Sequence, residues 1–324
     1  MIAAKRVIAA ALRVLAVAVA TNAGAFDLEG HRGTRGLAPE NTLAAFRRAL
    51  AIGVTTLETD MAVTRDGTIV ISHDPRLNPD IVRGPDGAWI RGKGPPIHSL
   101  TLAELARYDI GRADPSSRYA KQFPEQQAAD GERFPTLAQV FALVRDSGKP
   151  VRLNLETKID PTQPDDTVDA PTFARLAVAA IRDAGFVDRV TLQSFDWRTL
   201  VEAKKLAPAL RTACLSIETA NNDTIKATGD GPSLWTAGLD ARKFDGSAPR
   251  LAHAAGCAIW SPFWRNATME RVAEAHALGM QVLPWTVNEP ADMTRLIDAG
   301  VDGLITDYPD RAREVMRAKG LPLP

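Results

Sequence analysis

Six side chains suited to holding a metal and a phosphate fall in three short motifs: His31-Arg32-Gly33, Glu58-Thr59-Asp60 and His73-Asp74. One imidazole can take a proton while the other gives one. The carboxylate pair at i, i+2 can hold a divalent cation, which stabilises the pentacoordinate charge as a P–O bond breaks. Arginine offers a planar fork for phosphate oxygens, and the glycine after it lets the backbone turn close to a ligand. The combination suits in-line cleavage of a phosphodiester.

The elements that carry these residues follow from their alternation. In Thr56-Leu57-Glu58-Thr59-Asp60, period two puts Thr56, Glu58 and Asp60 on one face and Leu57 on the other. Two buried like charges at that spacing need a hard cation such as Mg²⁺ or Ca²⁺, or a basic partner in a structural ion pair. A second alternating run, Val151 to Lys158, turns Val151, Leu153 and Leu155 towards helices and Arg152, Asn154, Glu156 and Lys158 inward. Glu156 then completes a three-carboxylate metal site with Glu58 and Asp60, and Lys158, one pleat higher, reaches a phosphate oxygen. The same parity turns Glu29 inward below His31 and predicts a Glu29–Arg152 ion pair beneath the site. His73 ends a hairpin-like run from Met61 to Ser72, with its turn at Arg65-Asp66-Gly67, and so can curl back over the same mouth.

Apolar strand-like runs alternate with amphipathic helical segments along the whole chain. Strands are expected at 26–30, 54–60, 150–156, 189–194, 211–216, 257–261, 280–285 and 301–306. Helices are expected at 40–52, 136–147, 171–184, 197–206, 247–255, 268–278, 289–299 and from 310. Eight strand–helix units define an α/β fold, a (β/α)₈ TIM barrel with an insertion after strand 2; a doubly wound open sheet is the runner-up. Two segments break the rhythm. One, about 74–134, is rich in Gly, Pro and charge; the other, 217–246, carries Trp235. Both follow strands and should rise over the C-terminal mouth, where barrels bind substrate.

Residues 1–25 read as a signal peptide: Lys5 and Arg6, an apolar run, then Ala23-Gly24-Ala25 as a cleavage site. A retained N-terminal anchor is the alternative. Residues 26–324 then form a single barrel domain in the periplasm or secreted. The 39 basic residues balance 39 acidic ones, and losing Lys5, Arg6 and Arg13 leaves a net charge of −3. That gives no basic footprint for nucleic acid and no polybasic membrane patch. Cys214 and Cys257, the two cysteines, form either a disulfide or a pair of buried thiols.

The motifs together resemble the glycerophosphodiester phosphodiesterase family. The resemblance runs through His31-Arg32-Gly33, Pro39-Glu40-Asn41-Thr42 with Ala45-Phe46, Glu58-Thr59-Asp60, Thr64-Arg65-Asp66-Gly67 and His73-Asp74. It continues in Glu156-Thr157-Lys158, Gln193-Ser194-Phe195, Trp285-Thr286-Val287-Asn288 and Gly303 to Pro309. It implies a (β/α)₈ barrel that hydrolyses glycerophosphodiesters to glycerol 3-phosphate and an alcohol. On this resemblance His31 and His73 are the acid/base pair, and Glu58, Asp60 and Glu156 hold Mg²⁺ or Ca²⁺. Arg32 and Lys158 hold the phosphate, Gln193 contacts substrate, and Trp285 walls the glycerol carbons. In such enzymes the substrate's own glycerol hydroxyl can attack first, giving a cyclic phosphate that water opens. The chain departs from the family at Pro75-Arg76-Leu77-Asn78-Pro79-Asp80, which leaves the departing alcohol unassigned. Two other readings keep the cluster: a phospholipase D-like enzyme on lysophospholipids or sphingolipids, and a periplasmic protein that binds phosphodiesters without cleaving them.

Overall fold

The computed structural model describes residues 25–226 and 230–324. Apart from Ala25, the expected leader lies outside them. The described residues form nine strands: β1 (Asp27–Gly30), β2 (Thr56–Val63), β3 (Ile69–Ile71), β4 (Arg152–Thr157), β5 (Val190–Ser194), β6 (Arg211–Ser216), β7 (Ile259–Pro262), β8 (Gln281–Val282) and β9 (Gly303–Thr306). All but β3 are parallel, in the order β8-β7-β6-β5-β4-β2-β1-β9. Backbone hydrogen bonds from Asp302 N–H to Val282 O and from Ile305 N–H to Pro284 O, each 3.0 Å, draw the two ends together. Pro284 has no N–H to give to a ladder, which is why β8 is so short.

The helices are α1 (Leu43–Ile52), α2 (Leu102–Leu105), α3 (Arg118–Gln122), α4 (Leu137–Asp146), α5 (Ala170–Asp183), α6 (Trp197–Leu206), α7 (Ala248–Ala254), α8 (Met269–Ala277), α9 (Pro290–Asp298) and α10 (Pro309–Ala318). Side-chain caps at Thr42, Thr136, Asp169, Asp196 and Thr268 satisfy N-terminal N–H groups and fix five of the helix starts. The α/β barrel expected from the sequence is the fold observed. One start differs by more than a residue: the first helix begins at Leu43 rather than residue 40, because Glu40 and Asn41 are drawn into the site and Asn41 takes φ 57°.

Leu28, Leu57, Leu153, Leu155, Leu192, Trp260, Val282 and Leu304 turn outward into one buried layer with the helices' apolar faces. The interior divides in two. Ala213, Ile259 and Leu283 fill the β6–β8 side. On the β1–β5 side Asn154 Nδ2 donates to Glu29 at 2.8 Å and to Gln193 Oε1 at 3.0 Å, while Gln193 Nε2 donates to Glu58 at 2.9 Å. The polar half carries the chemistry.

The expected Glu29–Arg152 ion pair does not form. Arg152 Nη2 meets Asp27 at 2.6 Å with its side chain 39% exposed, whereas Glu29 is buried against Asn154. The long arginine reaches water at the barrel base, which spares its guanidinium the desolvation that pairing with Glu29 would require. Glu29 in turn is pushed well above the carboxylate range by burial and by Asp27.

Beyond β2 the chain makes the expected hairpin, with Met61 opposite Ile71. Gly67, at φ 77°, supplies the left-handed residue that closes the turn. The insertion then packs its own small core of Ala62, Val70, Leu77, Val82, Ile97, Leu105, Ile110 and Phe134. Cys214 and Cys257 are joined as a disulfide in the buried layer between sheet and helices. No helix among the described residues is long and apolar enough to cross a membrane.

Candidate active site

Parity and register bring the predicted side chains to one place. Asp60 on β2 stands beside Glu156 on β4, and Glu156 beside Gln193 on β5. One carboxylate oxygen each from Glu58, Asp60 and Glu156 lies within 4.8 Å of the others, and all three residues are buried. A pocket of about 180 Å³ opens above them, lined among others by His31, Arg32, His73, Lys158, Gln193 and Trp285. The structure thus gathers the acid/base, phosphate-binding, aromatic and metal-ligand candidates named from the sequence.

Each carboxylate is aimed by neighbours. Glu58 accepts from the Arg32 backbone N–H at 2.8 Å and from Gln193 at 2.9 Å. Asp60 accepts from Asn41 Nδ2 at 2.9 Å, and Thr59 Oγ1 holds the Asn41 amide from its other side at 2.8 Å. Glu156 meets Lys158 Nζ at 2.7 Å, and the same ammonium stands 3.7 Å from Asp60 Oδ1. Gln193, expected to contact substrate, has its amide engaged by Glu58 and Asn154.

The donor set fits a hard divalent cation. Five carboxylates (Glu40, Glu58, Asp60, Glu156, Asp307) are set against three cations (Arg32, Arg35, Lys158), leaving an excess of two negative charges. Asp60 Oδ1 is buried without a hydrogen-bond partner, with Lys158 Nζ 3.7 Å away. Without an ion, burial and the neighbouring Asp60 and Glu156 raise Glu58 well above the usual range. Burial, offset in part by Lys158, pushes Glu156 up to about 7. Asp60 goes the other way: burial opposes its charge, but His73, Lys158 and Arg32 hold it ionised. The ionised forms of Glu58 and Glu156 are thus disfavoured as the site stands, and a divalent ion between the carboxylates would favour them.

The two imidazoles differ. His31 Nδ1 lies 2.6 Å from Asp307 Oδ1. An ionised carboxylate only accepts, so Nδ1 carries the hydrogen and Nε2 presents its lone pair, 3.9 Å from Glu58. Burial, with Arg35 and Arg32 nearby, lowers His31 to about 4. His73 is more open, with its side chain 31% exposed, and pairs through Nδ1 with Asp74 at 3.0 Å. Burial, Arg32 and Lys158 lower it too.

Asp307 and Arg35 were not singled out from the sequence. Arg35 grips both oxygens of Asp307, at 2.9 and 3.0 Å, and also lines the pocket. Asn288 Nδ2 adds a third donor to Asp307 at 2.7 Å. Inward parity on β9, through Ile305 to Asp307, was the available signal. Trp285 donates Nε1–H to Ser261 O at 3.0 Å and stands edge-on to Phe195, with ring centroids 5.3 Å apart, so an aromatic wall faces the carboxylates.

Fold and site together define a (β/α)₈-barrel protein of the phosphodiesterase class. The chain belongs to the glycerophosphoryl diester phosphodiesterase family, whose profile matches residues 31–311. A glycerophosphodiester phosphodiesterase of Caldanaerobacter subterraneus subsp. tengcongensis is 30% identical, over 90% of this chain and 97% of its own length. Among solved structures, a putative glycerophosphoryl diester phosphodiesterase from Silicibacter pomeroyi is 34% identical with a TM-score of 0.80, covering 92% of this chain and 95% of that one. An Oleispira antarctica phosphodiesterase, solved in complex with sn-glycerol-3-phosphate, shares the fold at a TM-score of 0.65 and 24% identity, over 90% of this chain and 96% of its own.

Proposed function

We propose that this protein hydrolyses glycerophosphodiesters to sn-glycerol 3-phosphate and an alcohol, using a divalent cation of the Mg²⁺ or Ca²⁺ kind. The observation that carries the reading is the convergence of three buried carboxylates within 4.8 Å, with His31, His73, Arg32 and Lys158 lining the same pocket. Family membership supplies the substrate class.

Glu58, Asp60 and Glu156 would hold the cation, which when bound neutralises charge on the phosphoryl oxygens. Arg32 and Lys158 bind the phosphate, and Trp285 packs the glycerol carbons. His31, neutral with a free Nε2, accepts the proton of the attacking oxygen, whether from water or from the substrate's own glycerol hydroxyl. His73, paired through Nδ1 with Asp74, gives a proton to the departing alcohol, in the imidazolium form that the charge of a bound phosphodiester favours by offsetting Arg32 and Lys158. The exposed large apolar side chains Leu206, Leu234, Met269 and Leu323 lie outside the pocket lining, so nothing here favours a lysophospholipid substrate.

The leader-like residues 1–25 and the disulfide support export to the periplasm or beyond, where such bonds persist. The test of function is a panel of glycerophosphodiesters assayed after EDTA treatment, then with Mg²⁺, Ca²⁺ or Mn²⁺ restored. Turnover lost with EDTA and recovered with a cation is expected. Turnover indifferent to EDTA would remove the metal, and no turnover of any member would remove the substrate class.

A further inference from the structure

The insertion touches the phosphate end of the pocket through a segment that no motif marks. Tyr119, on α3, donates its phenolic hydrogen to Glu40 Oε2 at 2.6 Å. The other oxygen of that carboxylate accepts from Arg32 Nη1 at 2.8 Å. Phe123, just past α3, packs 4.9 Å from the Tyr119 ring and lies against the Arg35 guanidinium, 4.6 Å from centroid to Cζ. Gln126 Nε2 donates to the Arg35 carbonyl at 2.7 Å, and Gln127 N–H to the Leu37 carbonyl at 3.0 Å. Residues 119–127 therefore clasp the β1–α1 loop, which carries both arginines of the pocket.

Arg32 is the residue most in need of that clasp. Its backbone sits at φ 50°, a left-handed conformation that arginine rarely adopts. Its guanidinium is committed to Glu40 at one end, while its buried Nε has no hydrogen-bond partner and stands 3.4 Å from Asp60. Glu40 has a competing cation: Arg35 Nη1 lies 3.9 Å from Oε2, the oxygen that Tyr119 occupies. Tyr119 thus occupies the Glu40 oxygen nearer Arg35, while Arg32 holds the other. Burial and the Glu40 charge push Tyr119 well above its ordinary range, so it remains an O–H donor.

We propose that Tyr119 is a positioning residue for phosphodiester binding, fixing the plane of the Arg32 guanidinium through Glu40. The insertion thereby sets the affinity of the phosphate subsite. A planar fork binds phosphate in a narrow range of orientations, so a tilt of Arg32 weakens binding without touching the proton-transfer groups. The inference rests on the phosphate-holding role given to Arg32 above.

Tyr119→Phe removes one hydroxyl and keeps the ring. Expected are a rise of about tenfold in KM and in the inhibition constant of glycerol 3-phosphate, the scale of one hydrogen bond to a charged group. The change in kcat should stay below about threefold, with the melting temperature unmoved. In an Arg32→Lys background, loss of the hydroxyl should change KM no further, because the fork it orients is gone. Unchanged KM and inhibition constant, additive effects in the double variant, or a fall in kcat and melting temperature at constant KM would each overturn the inference. If the wild type turned over no glycerophosphodiester, the function proposed above would fail on its own. Calorimetry of inorganic phosphate binding to wild type and Tyr119→Phe would still decide this one, with about tenfold weaker binding by the variant expected and equal affinities against it.

Discussion

Asp307 accepts a 2.6 Å hydrogen bond from His31 Nδ1 across a sequence separation of 276 residues, joining the last barrel strand to the first. The contact exists because β9 pairs with β1, with Gly30 opposite Thr306. Each chain then leaves its strand at the same height on the barrel rim. Arg35 and Asn288 hold Asp307 against the imidazole, so the tautomer that leaves Nε2 free is fixed from both sides.

Asp307→Asn should therefore lower kcat by about 10²-fold or more, with KM little changed. An amide in that place can donate to Nδ1 and favour the tautomer whose hydrogen sits on Nε2, the wrong nitrogen for a base. Steady-state kinetics beside a circular dichroism spectrum would check it. Full activity in a folded variant would deny Asp307 this role.

His31→Ala and His73→Ala should each cost at least about 10²-fold in kcat. Their roles separate with an activated diester: a nitrophenol leaving group needs no proton, so it should rescue His73→Ala and leave His31→Ala impaired. The pH profile gives a second check. His31 is lowered to about 4, so it is neutral around pH 6.5 and gains its proton only as pH falls towards 4. Falling pH from 7 through 6.5 thus should not remove the base, and an acid limb of kcat/KM centred at 6.5 and lost in His31→Gln would contradict the assignment.

What was legible in the sequence was whatever alternation controls. In a closed barrel each strand has an inside and an outside, so parity on β2 and β4 placed Glu58, Asp60, Glu156 and Lys158 correctly, and the strand limits came out within a few residues. Parity says less about which inward neighbours join. It put Glu29 and Arg152 on the same interior, but the reach of an arginine to water chose Asp27. Contacts made by loops escaped altogether. Tyr119 meets Glu40 over 79 residues, through a short helix with no periodic signature.

Metal binding should be coupled to protons at Glu156. Its folded-state value, about 7, lies above the 4.5 of the unfolded chain. The protonated group therefore stabilises the ion-free fold fully below 4.5, and that contribution is lost as pH rises through about 7. A divalent ion requires the ionised form, so affinity should climb as pH rises through about 7. Calorimetry of Mg²⁺ or Ca²⁺ binding at pH 6, in two buffers of different ionisation enthalpy, should reveal proton release on binding. A heat independent of buffer would show that Glu156 is already ionised or takes no part.

The disulfide gives a prediction that concerns stability rather than chemistry. Cys214 and Cys257 close a loop with a sequence separation of 43, and both are buried in the layer between sheet and helices, away from the pocket. Cross-links of this kind typically stabilise by about 2–5 kcal/mol, largely by restricting the unfolded chain. Cys214→Ala/Cys257→Ala should therefore melt at a lower temperature than the wild type while its KM and kcat at 25 °C stay close to wild type. Calorimetric melting with and without reductant would test this, since reductant should destabilise the wild type and leave the double variant alone. Equal melting in all four samples would mean the bond contributes nothing to the fold, and it would also weaken the case for a protein matured in an oxidising compartment.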